Sequence, residues 1–577
     1  MEPKTTLAFD LELVPFSLRG AWFGLSRLPE KRAAELGKSP SLYLRTYRGN
    51  VPMHQREIAA LSFLDAQGNS LTPSDDARPG RLRFTDSKGG FVELTFADTH
   101  TLVLHGKGLP LRLDLTPTSY DYARPAGADL WELNLYSQRL QLLLQRQTGT
   151  CTVLAPWAEQ KSTAITVTLG EDGTPWRATL TEFSVTPPPA PIPADTLPAP
   201  ASKRNTAACS AFTSALPAAP ARLKAARNLA GYVLWTSLVE PSGHLHREGM
   251  LMSKNWMTNI WSWDHCFNAI ALASGHPDLA WDQWAILFDH QHPTGALPDS
   301  LNDRDLVLNF TKPPVHGWAL REMMALGWKP TPAQLKQAVR WLEKWTDWWF
   351  THRDDDHDGL PQYNHGNDSG WDNASCFGAG TPVEGPDLAT FLIVQMDVLA
   401  DLHLRLKNKT AAARWTARAA ALVPKLLAHS WRGDRFVAPR SGDHALAEGD
   451  SLVAFMPLLL GRRLPPEILR TLIAGLSDPG RFLTPHGLAT ESPRSSLYRS
   501  NGYWRGPIWA PSTQLIVSAL DGVGETKLAR EVSKRFCATF AKSGSAENYD
   551  ALTGEGLCDR AYTWTASAFI TLASSLR

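Results

Sequence analysis

The chain has 577 residues but lacks the features that mark membrane and secreted proteins. It contains no run of about 18 apolar residues, the length that a membrane-spanning helix requires. Its start, MEPKTTLAFDLELVPF, has no basic region followed by an apolar stretch, so we do not expect a secretory signal. The six cysteines are scattered, with neither a Cys-x-x-Cys pair nor a disulfide-framework spacing. These absences predict a cytoplasmic protein with reduced thiols.

The chain also lacks a charge surplus and the common nucleotide and zinc motifs. Lys and Arg (58) nearly balance Asp and Glu (57), whereas nucleic-acid binding normally requires a basic excess. There is no P-loop, no Gly-x-Gly-x-x-Gly segment and no His/Cys cluster at zinc spacing. Fragments resembling Gly-x-Ser occur without the strand–serine–helix context of a hydrolase elbow. Nucleic-acid binding, nucleotide chemistry and zinc chemistry are therefore disfavoured.

Tryptophan, by contrast, is abundant, with 22 copies. Only four of them precede residue 200, and the other eighteen follow it. We expect the segment WLEKWTDWWF (Trp341 to Phe350) to fill a core. Tryptophan rings also present flat apolar faces with a polar edge, a shape that stacks on sugar rings. The later part of the chain is therefore a candidate for carbohydrate binding.

Residues 7 to about 185 alternate apolar and polar side chains, the pattern of antiparallel strands. GRLRFTDSKGGFVELTF predicts a hairpin that turns at Ser-Lys-Gly-Gly, and STAITVTLGEDGTPWRATLTEF predicts another turn at Glu-Asp-Gly. Short strands at regular spacing are typical of a β-sandwich. We therefore predict an antiparallel β-sandwich domain over residues 1–185.

Prolines are concentrated in TPPPAPIPADTLPAPASK, Thr186 to Lys203. Proline fits neither a sheet nor a helix interior, so this stretch is expected to run extended as a semi-rigid spacer. A chain of 577 residues exceeds one ordinary core and needs at least two domains. We therefore predict that this Pro-rich segment is a linker between domains, over residues 186–215.

After the linker, the apolar period changes from two to 3.6, the helical value. PDLATFLIVQMDVLADLHLRL places apolar residues along one stripe, and Asp387 after Pro386 marks the start of that helix. Thr331 and Pro332 have the types that favour the cap and the first position of another helix. Paired helices with elaborate loops are typical of an α/α toroid. We predict an all-α domain over residues 216–577.

Four polar stretches, at 252–272, 364–375, 497–513 and 545–557, are predicted to be loops, and each sets acids, amides or Arg beside Trp or Tyr. Hydrolysis of a glycosidic bond needs one protonated acid, which donates to the leaving oxygen, and one ionised carboxylate, which activates water or attacks the sugar. Asp372, flanked by Trp371 and Asn373, has the aromatic setting that keeps an acid protonated. Glu547 is the best distant partner for it.

The loop before Asp372 contains Asp354-x-Asp356-x-Asp358-Gly359, the oxygen-ligand spacing of a calcium loop. The twelfth position of this loop is His365, whereas an EF-hand would have a bidentate Glu there. Two interpretations remain open: a solvated acidic turn capped by its own side chains, or a structural calcium site. No cofactor is otherwise expected.

Taken together, WSWDHCFNA, DSGWDN, YWRGPIW and ENYDALTGEG resemble glycoside hydrolase family 63, the α-glucosidase family related to trehalases. The resemblance covers residues 225–575, with the motifs in the family's order. It implies an (α/α)6 barrel after the β-sandwich and an inverting mechanism, with Asp372 as general acid and Glu547 as general base. The chain is more similar to bacterial members, whose substrates vary widely, than to the larger membrane-anchored enzymes that trim N-glycans.

The same resemblance implies that the Trp263–Asp264 pair and the segment from Trp504 to Trp509 bind the sugar. The complete predicted substrate-binding set is Trp261, Trp263, Asp264, Trp371, Asn373, Trp504, Arg505 and Trp509. Asp264 and Asp368 lie in the same motifs and are the two alternatives to Asp372 as the acid, although Asp264 is better suited to bind sugar hydroxyls.

The sequence thus predicts an inverting, exo-acting α-glycosidase, in the first place an α-glucosidase, with a small carbohydrate as its only partner. Neither nucleic acid nor membrane is expected as a partner, and linkage, aglycone and oligomeric state stay open. One rival is a disaccharide phosphorylase on the same architecture, which would need a basic phosphate site in place of Glu547. The other is a non-catalytic sugar-binding protein that keeps the Trp-rich cleft.

Overall fold

The computed structural model describes residues 7–35, 37, 39, 41–50, 56–185, 188–193 and 198–577. The chain divides into two compact units. The first unit comprises Met1–Thr213, Trp235–Glu240 and Lys254–Thr258, and the second comprises the remaining residues from Ser214 onwards. Among the described residues, no helix combines the length and the hydropathy that crossing a membrane requires.

The described part of the first unit contains two large antiparallel sheets. In spatial order, the main strands of one sheet are Phe23–Arg27, Leu42–Thr46, Glu57–Leu64, Leu111–Leu115, Ile165–Leu169 and Cys151–Leu154. In spatial order, the strands of the other are Tyr122–Gly127, Leu130–Leu135, Leu140–Thr148, Trp176–Phe183, Thr101–Lys107, Phe91–Phe96, Arg81–Thr85 and Ser74–Arg78. Apolar residues of both sheets, among them Leu25 and Leu94, share one hydrophobic core. The predicted antiparallel, β-rich N-terminal region is confirmed.

The two predicted turns have different outcomes. The turn at Ser-Lys-Gly-Gly joins the paired strands Arg81–Thr85 and Phe91–Phe96, as predicted. The turn at Glu-Asp-Gly instead connects strands of different sheets, Ile165–Leu169 and Trp176–Phe183. Alternation of side chains shows which face of a strand is buried, but it does not show which strand is its neighbour.

A helix spans Pro198–Ala215, so the extended spacer predicted for Thr186 to Lys203 is wrong from Pro198 onwards, while the predicted domain bounds stay predictions. Pro198 and Pro200 lie in the first turn, where amide groups have no partner within the helix and proline is tolerated. The Asn205 side chain donates to the carbonyl oxygen of Phe96 at 2.8 Å and thereby fixes this helix to a sheet of the first unit. The predicted spacer residues 186, 187 and 194–197 lie outside the described residues.

The second unit is mainly helical. Its principal helices are Lys224–Ser237, Asp264–Leu272, Pro277–Ala285, His316–Ala325, Pro332–His352, Pro386–Arg405, Lys409–Ser430, Pro466–Ser477, Ala510–Gly522, Thr526–Ser543 and Thr563–Ser574. The helix Pro386–Arg405 packs against Lys409–Ser430. It is buried on nearly every side along its first four turns, so it is a central helix and not the one-stripe amphipathic helix that its sequence suggests.

Two predicted helix starts are confirmed. Thr331 caps one helix through a capping box: its hydroxyl accepts from the Gln334 amide at 3.2 Å, and the Gln334 side chain accepts from the Thr331 amide at 2.8 Å. Another helix begins at Pro386, with Asp387 in its first turn. The helix Asp264–Leu272, however, lies where the sequence predicts a loop. All nine of its residues are buried, so no polar face reveals its period.

Two three-stranded antiparallel sheets lie in the connections between helices of the second unit. One consists of Ile260–Trp261, Ser300–Leu301 and Leu306–Val307, and the other of Ile508–Trp509, Asn548–Tyr549 and Gly556–Leu557. Asp264 follows the first strand of one sheet, and Glu547 directly precedes the middle strand of the other. These sheets therefore position two of the predicted site residues.

Candidate active site

Asp372 lies in the connection between two long helices and is partly exposed. A short helix, Gly366–Ser369, ends just before it at Gly370, which has a φ of 72°. A Cβ atom at Gly370 would lie 2.5 Å from the Trp263 ring. Glycine is therefore required here, both for the left-handed conformation and for the close approach of the ring. The tight turn determines where the chain places Asp372.

Asn373 joins this connection to the segment around Trp504. Its Nδ2 donates to the Gly502 carbonyl oxygen at 3.1 Å, and its Oδ1 accepts from the Trp504 amide at 2.9 Å. Nε of Arg505 donates to the Asn373 carbonyl oxygen at 2.7 Å. The other guanidinium nitrogens of Arg505 make no hydrogen bond to the described residues. Asn373 thus holds two loops together, while part of Arg505 stays available to a ligand.

Asp264 is the first residue of its helix and is 4 % exposed. Burial raises the pKa of this carboxyl to about 8; the nearby Lys312 opposes the shift, and Asp299 and Asp372 add to it. The Oδ2 atom of Asp264 is buried without a hydrogen-bond partner among the described residues. A sugar hydroxyl would satisfy such an acceptor.

Lys312 and Asp299 form a buried ion pair at 3.1 Å beside these acids. Nζ of Lys312 also donates to the backbone oxygen and the Oδ1 of Asn367, both at 2.7 Å. The positive charge of Lys312 acts to lower the pKa of Asp372, although burial has the larger effect and raises it. This lysine therefore anchors the loop before Asp372 and moderates the negative charge of the site.

Glu547 is 2 % exposed. Its Oε1 accepts a hydrogen bond from the Tyr503 hydroxyl at 3.2 Å, and its Oε2 accepts from the Asp559 amide at 3.3 Å. Burial raises the pKa of Glu547 to about 8, together with the Asp559 and Asp372 carboxyls, whereas the hydrogen bond from Tyr503 acts to lower it. The influence of Asp372 on Glu547 means that the fold brings these two distant acids within electrostatic reach of each other.

Both predicted catalytic carboxyls thus have raised pKa values, and in both burial is the main cause. Glu547, with a pKa of about 8, and Asp372, with a raised pKa, are carboxyls of the kind that general acid and base chemistry uses. The structure therefore places Asp372, Glu547 and Asp264 in one acidic centre of the second unit.

Four of the predicted sugar-binding tryptophans pack against one another. Trp504 stacks on Trp509, with ring centroids 4.1 Å apart and an interplanar angle of 6°. The ring centroids of Trp371 and Trp263 lie 4.9 Å and 6.2 Å from that of Trp504. Each of the four rings is at most 1 % exposed, so in this conformation they form a buried aromatic cluster and leave no open face for a sugar. Trp261 is partly exposed.

Asp368, the alternative acid, is buried and accepts three hydrogen bonds. Its Oδ1 accepts from the Thr311 amide, and its Oδ2 accepts from the Asn364 amide and from Nη1 of Arg353, each at 3.1 Å. Both oxygens of this side chain are therefore engaged by donors of the protein. The contacts are those of a residue that anchors the loop.

The three aspartates of the acidic loop lie together. Asp354, Asp356 and Asp358 offer ligand oxygens that all lie within 4.8 Å of one another. Backbone amides of Gly359 and Leu360 donate to Asp354 and Asp358, at 3.3 Å and 2.7 Å. The self-capped turn and the calcium loop are both compatible with these contacts, so calcium stays a prediction.

Sequence analysis missed four residues of the acidic centre: Asp299, Lys312, Tyr503 and Asp559. Tyr503 is the first residue of the motif YWRGPIW, and Asp559 follows the motif ENYDALTGEG by three residues. Their polar side chains, so close to these motifs, could have indicated that they belong to the site. Lys312, in TKPPV, and Asp299, in LPDSL, belong to no motif, and only the small sheet and the ion pair bring them to the site.

Comparison with known proteins identifies relatives of the second unit. Residues 257–565 match the family model "Mannosylglycerate hydrolase MGH1-like glycoside hydrolase domain". Glucosylglycerate hydrolase from Mycolicibacterium hassiacum is 24 % identical over 414 residues, which cover 54 % of this chain and 91 % of the relative. Mannosylglycerate hydrolase from Thermus thermophilus is 26 % identical over 113 residues, but the match spans only 27 % of that protein's length and 20 % of this chain.

Two solved structures are similar in fold. The GH63 mannosylglycerate hydrolase from Thermus thermophilus in complex with glucose has a TM-score of 0.52 and 18 % identity, covering 60 % of this chain and 99 % of that one. A bacterial glucoamylase complexed with acarbose has a TM-score of 0.64 and 11 % identity, covering 100 % of this chain and 95 % of that one. The family model extends over more than half of the chain. The chain therefore belongs to the MGH1-like members of glycoside hydrolase family 63 and is a glycosidase.

Proposed function

We propose that the chain is an inverting α-glycosidase in which Asp372 is the general acid and Glu547 the general base. The observation that carries the proposal is that both carboxyls have raised pKa values, and that the charge of Asp372 is one of the causes that raise the pKa of Glu547. Asp372 is partly exposed, which suits a donor to a departing aglycone, whereas Glu547 is enclosed, which suits a base that holds one water. The unpartnered oxygen of Asp264 would bind a hydroxyl of the sugar.

We also propose that the second unit is an (α/α)6 barrel. Successive helices pack as pairs, as Pro386–Arg405 does with Lys409–Ser430 and Ala510–Gly522 does with Thr526–Ser543. The candidate site is built largely from the connections between helices, where functional residues of a rigid scaffold concentrate. The similarity in fold to a glucoamylase over the whole chain supports this architecture.

The proposed substrate is a small α-glycoside of glycerate, with glucose or mannose as the glycone. The relatives named above are a glucosylglycerate hydrolase and a mannosylglycerate hydrolase. Glycerate carries a carboxylate, and Arg505, bonded to the residue after Asp372, has guanidinium nitrogens available to bind one. An α-glucosidase acting on a small α-glucoside or oligosaccharide, as the sequence predicts, is the alternative within the same mechanism.

A substrate panel tests this proposal. We expect the full-length protein to hydrolyse α-glucosylglycerate or α-mannosylglycerate with a kcat/KM about 10–100-fold above that for the corresponding glycosylglycerol, because a charge-assisted hydrogen bond contributes about 1.5–3 kcal/mol. Arg505→Gln should reduce this preference, and Arg505→Lys should retain part of it. Faster hydrolysis of maltose or trehalose would contradict the glycerate assignment. Hydrolysis of no α-glycoside would contradict the proposed function.

The same assays separate hydrolysis from phosphorolysis. Glu547 has Asp559, Asp372 and Tyr503 as neighbours, and the two carboxyls among them would repel phosphate. We therefore expect the free sugar as product whether or not phosphate is added. A sugar 1-phosphate formed only with phosphate present would favour the phosphorylase.

The pH dependence follows from the proposed roles of the two acids. The active form has Glu547 ionised and Asp372 protonated, so kcat/KM should fall at both low and high pH. Because the Tyr503 hydroxyl donates to Glu547 and lowers its pKa, Tyr503→Phe should raise that pKa and move the limb of the profile that reports Glu547 to higher pH by about one unit. Tyr498→Phe, which removes a hydroxyl without a hydrogen-bond partner among the described residues, is the matched control. A profile in which neither limb moves to higher pH would contradict the role of Tyr503.

A further inference from the structure

A cluster of four potential metal ligands lies beside the acidic loop. Its members are Asp358, Glu384, His429 and His444, and each offers one ligand atom within 4.8 Å of the others. They come from four separate segments: the acidic loop, the residues before Pro386, the last turn of Lys409–Ser430 and the loop that follows it. None of them belongs to the acidic centre around Asp372.

Glu384 carries the clearest sign of a ligand. It is 2 % exposed, and neither of its carboxylate oxygens has a hydrogen-bond partner among the described residues. A buried carboxylate without a hydrogen-bond partner is unfavourable, because it has lost its hydrogen bonds to water. A cation between Glu384 and its neighbours would remove this penalty.

The contact between Glu384 and His429 points to the same conclusion. Nε2 of His429 lies 2.7 Å from Oε2 of Glu384, yet the two atoms do not have the direction of a hydrogen bond, and Nε2 has no hydrogen-bond partner in the described part of the chain. An imidazole nitrogen and a carboxylate oxygen that face each other without a hydrogen bond can both serve as ligands of one metal ion. His444 lies close by, with its ring 4.8 Å from that of His429 and its Nε2 4.0 Å from Oε2 of Glu384.

The types of donor select the metal. Two imidazole nitrogens and two carboxylate oxygens suit zinc and similar divalent transition metals, whereas calcium takes six to eight oxygens. We propose that Asp358, Glu384, His429 and His444 form a structural site for a divalent transition-metal ion. A histidine side chain that is 46 % exposed, at His444, leaves room for a water as a further ligand.

The site needs only a small closure to bind the ion. Tetrahedral ligand atoms about 2.1 Å from a metal lie about 3.4 Å apart, so ligand separations of up to 4.8 Å must shorten by up to about 1.4 Å. His444, on an exposed loop, can supply this movement by side-chain rotation. Asp356 also lies 3.5 Å from Nε2 of His444 and would lose that contact.

The site is different from the calcium loop predicted in the sequence. Asp358 is common to both, but Asp354 and Asp356 belong only to the calcium loop, and the histidines belong only to the proposed site. Val383, next to Glu384, forms backbone bridges with Tyr363 and Arg440. A bound ion would connect the acidic loop, through Asp358, to the segments that carry Glu384, His429 and His444. The acidic loop leads on to Asp372.

Metal binding to the full-length protein tests the proposal. After treatment with chelator, we expect one equivalent of Zn²⁺ to bind by calorimetry and to raise the Tm by several degrees, and Co²⁺ to give the visible spectrum of a nitrogen- and oxygen-ligated site. His444→Ala should weaken Zn²⁺ binding at least about tenfold, and His429→Ala with His444→Ala should abolish it. Asp354→Asn, the matched control, should bind Zn²⁺ like the parent protein.

Other outcomes would overturn the site. If the parent protein bound neither Zn²⁺ nor Co²⁺, or if the two histidine substitutions left binding unchanged, these residues would not be ligands. If Ca²⁺ bound in preference to Zn²⁺, with binding lost in Asp354→Asn and kept in His444→Ala, the ion would belong to the acidic loop. Because His444 is exposed, its substitution should leave the fold intact, so that a loss of Zn²⁺ binding can be attributed to the missing ligand.

Discussion

Asp372→Asn and Glu547→Gln are each expected to lower kcat by about 10²–10⁴-fold. Each substitution removes one carboxyl group without changing the size of the side chain, and general acid and general base steps each contribute about this factor. The measurement is steady-state hydrolysis of the best glycosylglycerate found in the substrate panel. KM should change less than kcat, because both groups act mainly in the transition state.

Thermal unfolding shows whether a loss of activity comes from the missing catalytic group or from misfolding of the variant. The folded protein raises the pKa of Glu547 to about 8, so between its ordinary value and pH 8 the folded state holds a proton that the unfolded chain has released. Glu547 therefore destabilises the fold increasingly as the pH rises through this window. Glu547→Gln should keep the Tm at pH 5 and raise it at pH 8, which would exclude misfolding as the cause of lost activity.

Two further substitutions make the result specific. Glu555→Gln changes an exposed residue of the same segment as Glu547 and should retain activity. Asp368→Asn replaces one of the two oxygens that together accept three hydrogen bonds. It should lower the Tm and leave kcat near the parental value. Near-parental turnover by Asp372→Asn, together with a severe loss in a folded Asp368→Asn, would show that the acid is Asp368.

Local signals predicted those features that depend on residues close in sequence. Thr331 and Pro332 mark a helix start because a cap involves only the next few residues, and the hairpin at Ser-Lys-Gly-Gly is equally local. The helix at Pro198 was missed because proline disfavours a helix interior but is tolerated in its first turn. The helix at Asp264 was missed because it is buried on every side.

The site shows the same division. Asp372, Glu547 and Asp264 were proposed because each lies in a short motif of acids, amides and aromatic rings. Lys312 reaches this centre through an ion pair and a small sheet, neither of which leaves a local pattern. The sequence also could not show that Trp504 and Trp509 would stack on each other, since pairing of rings depends on the folded packing.

The second prediction with a large expected effect concerns the anomeric configuration of the sugar that is released first, because each reaction either inverts or retains that configuration. A base that activates water on the face opposite the leaving group inverts the anomeric carbon, whereas a carboxylate that attacks the sugar itself leads to retention. The enclosed position of Glu547, with its oxygens held by Tyr503 and Asp559, suits a base that holds water. An α-glycoside should therefore release the β-anomer first.

Proton NMR during the first turnovers tests this central claim most directly. The full-length protein is mixed with α-glucosylglycerate or α-mannosylglycerate, and the anomeric signals of the free sugar are followed before mutarotation equalises them. The proposed roles of Asp372 and Glu547 predict that the β-anomer appears first and that the α-anomer grows only at the rate of mutarotation. Initial release of the α-anomer would mean retention and would contradict the assignment of Glu547 as a general base.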